Sequence, residues 1–146
     1  MLKYSHRWSI VCQKSIVDKN DNNMSLIGVL EQLSFSIPNN ISFEKEFVLP
    51  VVFDVVSFWD NDLLTKGDLD YWIEIFSPNK KKIFENKPEF EVDHNKPRTR
   101  TILTIGGFKT LPLSGVYKIV VKQKNDVTGK YKKVSEIPLN IKIEKK

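Results

Sequence analysis

Apolar residues recur at every second position along most of this chain, and a period of two marks a β-strand with one buried face. Ile137, Leu139, Ile141 and Ile143 alternate with Pro138, Asn140, Lys142 and Glu144. Leu69, Tyr71, Ile73 and Ile75 interleave with Asp70, Trp72, Glu74 and Phe76. The same spacing links Thr101, Leu103 and Ile105, and again Tyr117, Ile119 and Val121. Tyr4, His6, Trp8, Ile10 and Cys12 are predicted to share one face of the first strand. Ile27, Val29, Leu33, Phe35 and Ile37 are predicted to share a face of the next segment. Between residues 47 and 59 both faces are apolar, with Val51, Phe53, Val55 and Trp59 on one and Val52, Val56 and Phe58 on the other. A strand of that kind is expected at the centre of a sheet, covered above and below. Pro50 should stand at its start or at a bulge, because proline cannot donate a ladder hydrogen bond.

Clusters of Asn, Asp, Gly and Pro separate these runs: residues 18–23, 37–40, 60–62, 77–79, 93–97, 106–107 and 125–129. These residues tolerate positive φ, cap their own backbone or fix φ, so they punctuate strands. About seven to nine short strands so spaced indicate an all-β chain folded as a single antiparallel β-sandwich. Only residues 42–47 suggest a helical turn. A length of 146 residues fits one domain over residues 1–146, and no repeat or linker divides it. No apolar run approaches the roughly 18 residues of a membrane helix. The N-terminus carries charge where a signal peptide would be apolar, which leads us to expect a cytoplasmic protein without a membrane partner. Cys12 is the only cysteine, so no intrachain disulfide can form.

Charge is unevenly spread. Residues 1–70 carry six basic and ten acidic side chains, for −4, and residues 71–146 carry seventeen and eight, for +9. The basic half offers Lys118, Lys122, Lys124, Lys130 and Lys132 as a candidate polyanion surface on the C-terminal hairpin. Lys118, Lys122 and Lys124 share a face with Val120 between them, and Tyr131 adjoins. Against nucleic acid stand the few arginines and the lack of an exposed aromatic ladder among the lysines, since single strands are held by stacking as well as charge. The acidic half offers Asp60, Asp62, Asp68 and Asp70, two pairs flanking one strand connection, as candidate oxygen ligands for a hard cation.

Catalytic constellations are sparse. His6 lies on the apolar side of its strand, His94 sits in a turn beside Asp93, and no serine or cysteine motif accompanies either. Cys12 reads as a small buried hydrophobe. Asp18, Asn20 and Asn22 imitate the start of a calcium loop, which then fails at Asn23 and Val29, so a hairpin turn is expected. Gly106-Gly107 lacks the spacing of a phosphate loop. Trp8, Trp59 or Trp72 could build a sugar platform, but each fits a core or rim position equally well.

Two segments carry a resemblance. Residues 114–121, Ser-Gly-Val-Tyr-Lys-Ile-Val-Val, resemble the opening of a late strand in immunoglobulin-like sandwiches, and Tyr117 would then resemble their corner tyrosine. Val11-Cys12 followed by Met24-Ser-Leu-Ile-Gly-Val29 resembles the start of a family of small, uncharacterised bacterial β-sandwich proteins, from which Gln13 departs by replacing an acid. That resemblance implies an immunoglobulin-like sandwich and no catalytic residues. The expected function is a non-enzymatic module that binds another protein through loops or an edge strand and needs no cofactor. The alternatives are a nucleic-acid or polyanion binder, and a metal- or sugar-directed domain.

Overall fold

The computed structural model describes residues 4–61, 69–88, 96–125 and 127–146. Among them are nine strands and no helix: β1 (Ser5–Val17), β2 (Met24–Val29), β3 (Gln32–Ile37), β4 (Phe47–Asp60), β5 (Tyr71–Phe76), β6 (Lys82–Asn86), β7 (Arg98–Thr110), β8 (Gly115–Lys124) and β9 (Tyr131–Lys145). Residues 42–46 form a turn, in which the Glu44 N–H donates to the Ser42 hydroxyl, rather than a helical segment, and Phe47 already opens β4. The strands make two sheets, ordered β2-β1-β4-β7 and β3-β9-β8-β5-β6. Phe53, Trp59 and Ile105 of the first share one apolar core with Tyr71, Ile119, Tyr117 and Ile141 of the second. The two sheets therefore pack face to face as a sandwich, the arrangement that buries one side of each.

The expectation of antiparallel pairing throughout does not hold, because β3 runs parallel to β9 from Gln32 opposite Asn140 to Ile37 opposite Lys145. The alternating run between residues 27 and 37 is correspondingly split. β2 hydrogen-bonds to β1, and the chain then crosses to the other sheet through the buried Leu30, whose N–H bonds Val11 O, and Glu31, whose carbonyl accepts from Asn140 N. Ile27 and Val29 are exposed, whereas Leu33, Phe35 and Ile37 pack against the core.

β4 is central as expected, held by β1 on one side and β7 on the other. Its inner residues Leu49, Val51, Phe53, Val55 and Trp59 are buried. Its outer face is only partly covered: Val56 is fully enclosed but Val52 is exposed. Pro50 occupies a bulge between Leu49 and Val52, in a stretch where β1 does not pair, so its missing N–H leaves no ladder bond unmade. A second irregularity, between His6 and Trp8 in β1, breaks the predicted common face. Tyr4 and His6 turn inward, and Trp8, Ile10 and Cys12 turn outward, because one extra residue reverses every side chain beyond it. The remaining inward faces, on β5, β7, β8 and β9, fall where the period places them.

Candidate interaction surfaces

The outer face of the five-stranded sheet carries a row of lysines. Val116, Lys118, Val120, Lys122 and Lys124 form the outward row of β8, as their spacing predicts. β5 contributes Trp72 opposite Lys122, Glu74 opposite Val120 and Phe76 opposite Lys118. Glu74 is buried, with Lys122 Nζ 2.5 Å from Oε1 and Lys82 Nζ 3.2 Å from Oε2. Burial alone would raise its pKa, but these two ammonium groups outweigh that and hold the carboxyl below its ordinary range. Lys124 lies 4.0 Å from Asp70, and Lys118 and Lys133 lie 3.8 and 3.6 Å from the same oxygen of Glu136. Lys130 and Lys132 are exposed at the hairpin end. The predicted lysines thus divide into three that meet carboxylates and two that face solvent.

Two half-buried aromatic side chains, Trp72 and the adjoining Tyr131, stand beside these lysines. Trp72 and Tyr131 meet edge to face with ring centroids 5.2 Å apart. Lys82 Nζ lies 5.7 Å from the centre of the Trp72 ring, and Lys87 Nζ 5.4 Å from that of Tyr131, both within cation–π range. The alternation of residues 70–76 had already put Trp72, Glu74 and Phe76 on one side. What it omitted was the partner strand that brings Tyr131 alongside.

The outer face of the four-stranded sheet is apolar. Trp8 of β1 stacks on Phe58 of β4 with centroids 4.2 Å apart, and Ile10 and Ile102 flank Val56 on either side. Val52 is 68% exposed, Val29 57%, Ile102 41% and Trp8 37%, so this surface stays in contact with solvent. Polar groups interrupt it: Arg100, opposite Phe58, donates to Asn22 O and Oδ1 at 2.8 and 2.9 Å, and Asp54 accepts hydrogen bonds from Thr104 Oγ1 at 2.6 Å, Ser15 Oγ at 2.7 Å and Ser15 N at 3.0 Å. Burial opposes ionisation of Asp54, but those three donors prevail and lower its pKa. Cys12, opposite Asp54, is fully buried. Burial first and the Asp54 charge second raise its pKa, which disfavours the nucleophilic thiolate.

Trp59 lies in the core, Trp8 on one outer face and Trp72 on the other, so the three tryptophans build no common sugar platform. His6, which no serine motif accompanies in the sequence, has Nε2 2.7 Å from Ser9 Oγ, which is 2.7 Å from Ser57 Oγ. Burial depresses the pKa of this histidine. The chain of hydroxyls satisfies polar groups at one end of the core, where Trp59 Nε1 also donates to Thr101 Oγ1 at 3.0 Å. The sequence hid this cluster because the bulge at residue 7 brings His6 and Ser9 together. Asp18 accepts from the backbone N–H groups of Asn20 and Asp21, the hairpin turn expected in place of a calcium loop.

Asp60, of the candidate cation ligands, is engaged by Arg7 and lies 3.8 Å from Arg98, and Asp70 faces Lys124. Asp62 and Asp68, like His94, lie outside the described residues. No group of three or more His, Cys, Asp or Glu side chains converges among the described residues. Among them, too, no helix is long and apolar enough to cross a membrane. No family model matches the chain, and no curated protein matches it.

Proposed function

We propose that this chain is a non-enzymatic interaction module that docks another protein against the outer face of its four-stranded sheet and the adjoining edge strand β7. The carrying observation is the Trp8–Phe58 stack with exposed Ile102 beside it, and with exposed Val29 and Val52 further along the same face. Contiguous exposed apolar surface on a sheet is favoured as a contact site, and aromatic anchors dominate the energy of such contacts. β7 adds a 13-residue edge to which an extended segment can hydrogen-bond. We further propose an immunoglobulin-like sandwich, supported by the hydrogen bond from Tyr117 OH to Leu113 O at 2.7 Å, the bond a corner tyrosine makes.

The polyanion reading rests on Trp72 and Tyr131 beside the lysines, and ranks second because Lys118, Lys122 and Lys124 already face carboxylates. The test is affinity capture from native lysate with the wild-type chain, Trp8→Asp/Ile102→Asp and Lys130→Glu/Lys132→Glu. A partner retained by the lysine variant and lost by the apolar-face variant supports the proposal. A nucleic acid lost only by the lysine variant overturns it.

A further inference from the structure

A cleft of about 580 Å³ opens on the outer face of the five-stranded sheet, within the size range of small-molecule sites. Val116, Val120, Phe76 and Pro78 supply its apolar surface, and Lys80, Lys118, Lys122 and Lys133 surround it. Its far wall is the β5–β6 turn. Gly115 lets that turn close down, because a Cβ at residue 115 would stand 3.0 Å from the Pro78 ring. Lys80, at the tip, has φ +65°, and no carboxylate among the described residues reaches its ammonium group.

Charge in the cleft does not balance. Four lysines face Glu136 in the lining and Glu74 beside it, which leaves a surplus of two positive charges. Glu74 is committed to Lys122 and Lys82. Lys118 and Lys133 share one Glu136 oxygen at long range. A second carboxylate placed between them would relieve their mutual repulsion, and the valine floor would take up an apolar body. Glu136 itself disfavours a dianion in the same space, because like charges at short range repel.

We propose that this cleft binds a small monocarboxylate with an apolar body, its carboxylate held by Lys118 and Lys133 and its hydrocarbon lying over Val120 and Val116. This site is separate from the protein-docking face and does not depend on it. The test uses decanoate, decanol and inorganic phosphate as probes of the intact chain, followed by calorimetry and amide ¹H–¹⁵N shifts. Decanoate should saturate, move amides of residues 77–80 and 116–122, and bind at least about tenfold more tightly than decanol, while phosphate fails to saturate. Lys118→Gln/Lys133→Gln should weaken decanoate by about tenfold or more and leave decanol unchanged. Should that double variant lose its dispersed spectrum, Glu136→Gln, which removes the repelling charge, should tighten decanoate and admit phosphate. Decanol binding within tenfold of decanoate overturns the proposal. So do shifts centred on the Trp8 face, undiminished decanoate binding by a folded double variant, or no saturation by decanoate.

Discussion

Phe53 and Val52 are neighbours on β4 that point to opposite faces, so truncating each tests which face carries the core. Phe53 is fully buried opposite Ile105, whereas Val52 is 68% exposed. An aromatic side chain buries about 150–250 Å². Alanine keeps a minor part, so Phe53→Ala withdraws on the order of 130 Å² of apolar burial, or about 3 kcal/mol at 25 cal/mol per Å². The cavity left between two sheets that cannot fully collapse brings the expected loss to about 3–5 kcal/mol. Val52→Ala should change stability by less than about 0.5 kcal/mol, as substitutions on an open surface do. Urea unfolding followed by tryptophan fluorescence measures both, since Trp59 lies in the same core. The Phe53→Ala midpoint should fall with the slope unchanged, which reports stability rather than a altered denatured state. A loss below about 1 kcal/mol for Phe53→Ala, or an equal loss at Val52, would refute the assignment of faces.

Stability should decline in two stages on acidification. His6, whose folded pKa lies below the ordinary 6.5, binds its proton more readily when unfolded, so stability is full above that value and falls as pH drops below it. His6→Gln should flatten that first stage in a thermal-melt series. Glu74 and Asp54 also titrate below their ordinary values when folded, so their contribution is present above about pH 4.5 and lost beneath it. Glu74→Gln should reduce the second stage without abolishing it, because Asp54 remains. Gly115→Ala forces its methyl group against Pro78 from a φ of +147° and should cost about 1–3 kcal/mol by chemical denaturation, with amide shifts confined to residues 76–81 and 113–117.

What the sequence made legible was side-chain alternation, which is a local property of each strand. The inward rows Tyr71-Ile73-Ile75, Tyr117-Ile119-Val121 and Leu139-Ile141-Ile143 follow directly from it. Alternation fails where one residue is inserted, and nothing in Ser5-His6-Arg7-Trp8 marks the irregularity that turns His6 inward and Trp8 outward. Nor does it name partners. β3 meets β9 across more than a hundred residues, and Gln32 and Asn140 carry no signal that they pair in parallel. The candidate sites divide in the same way. The β8 lysine row was readable because it lies within one strand. Glu74 beneath it, Lys133 and Glu136 across it and Pro78 at its rim come from three other segments, and they turn a basic stripe into a partly neutralised cleft. The character of that surface is therefore set by strand order rather than composition: five strands placed β3-β9-β8-β5-β6 bring carboxylates against the lysines and leave the apolar excess on the opposite sheet.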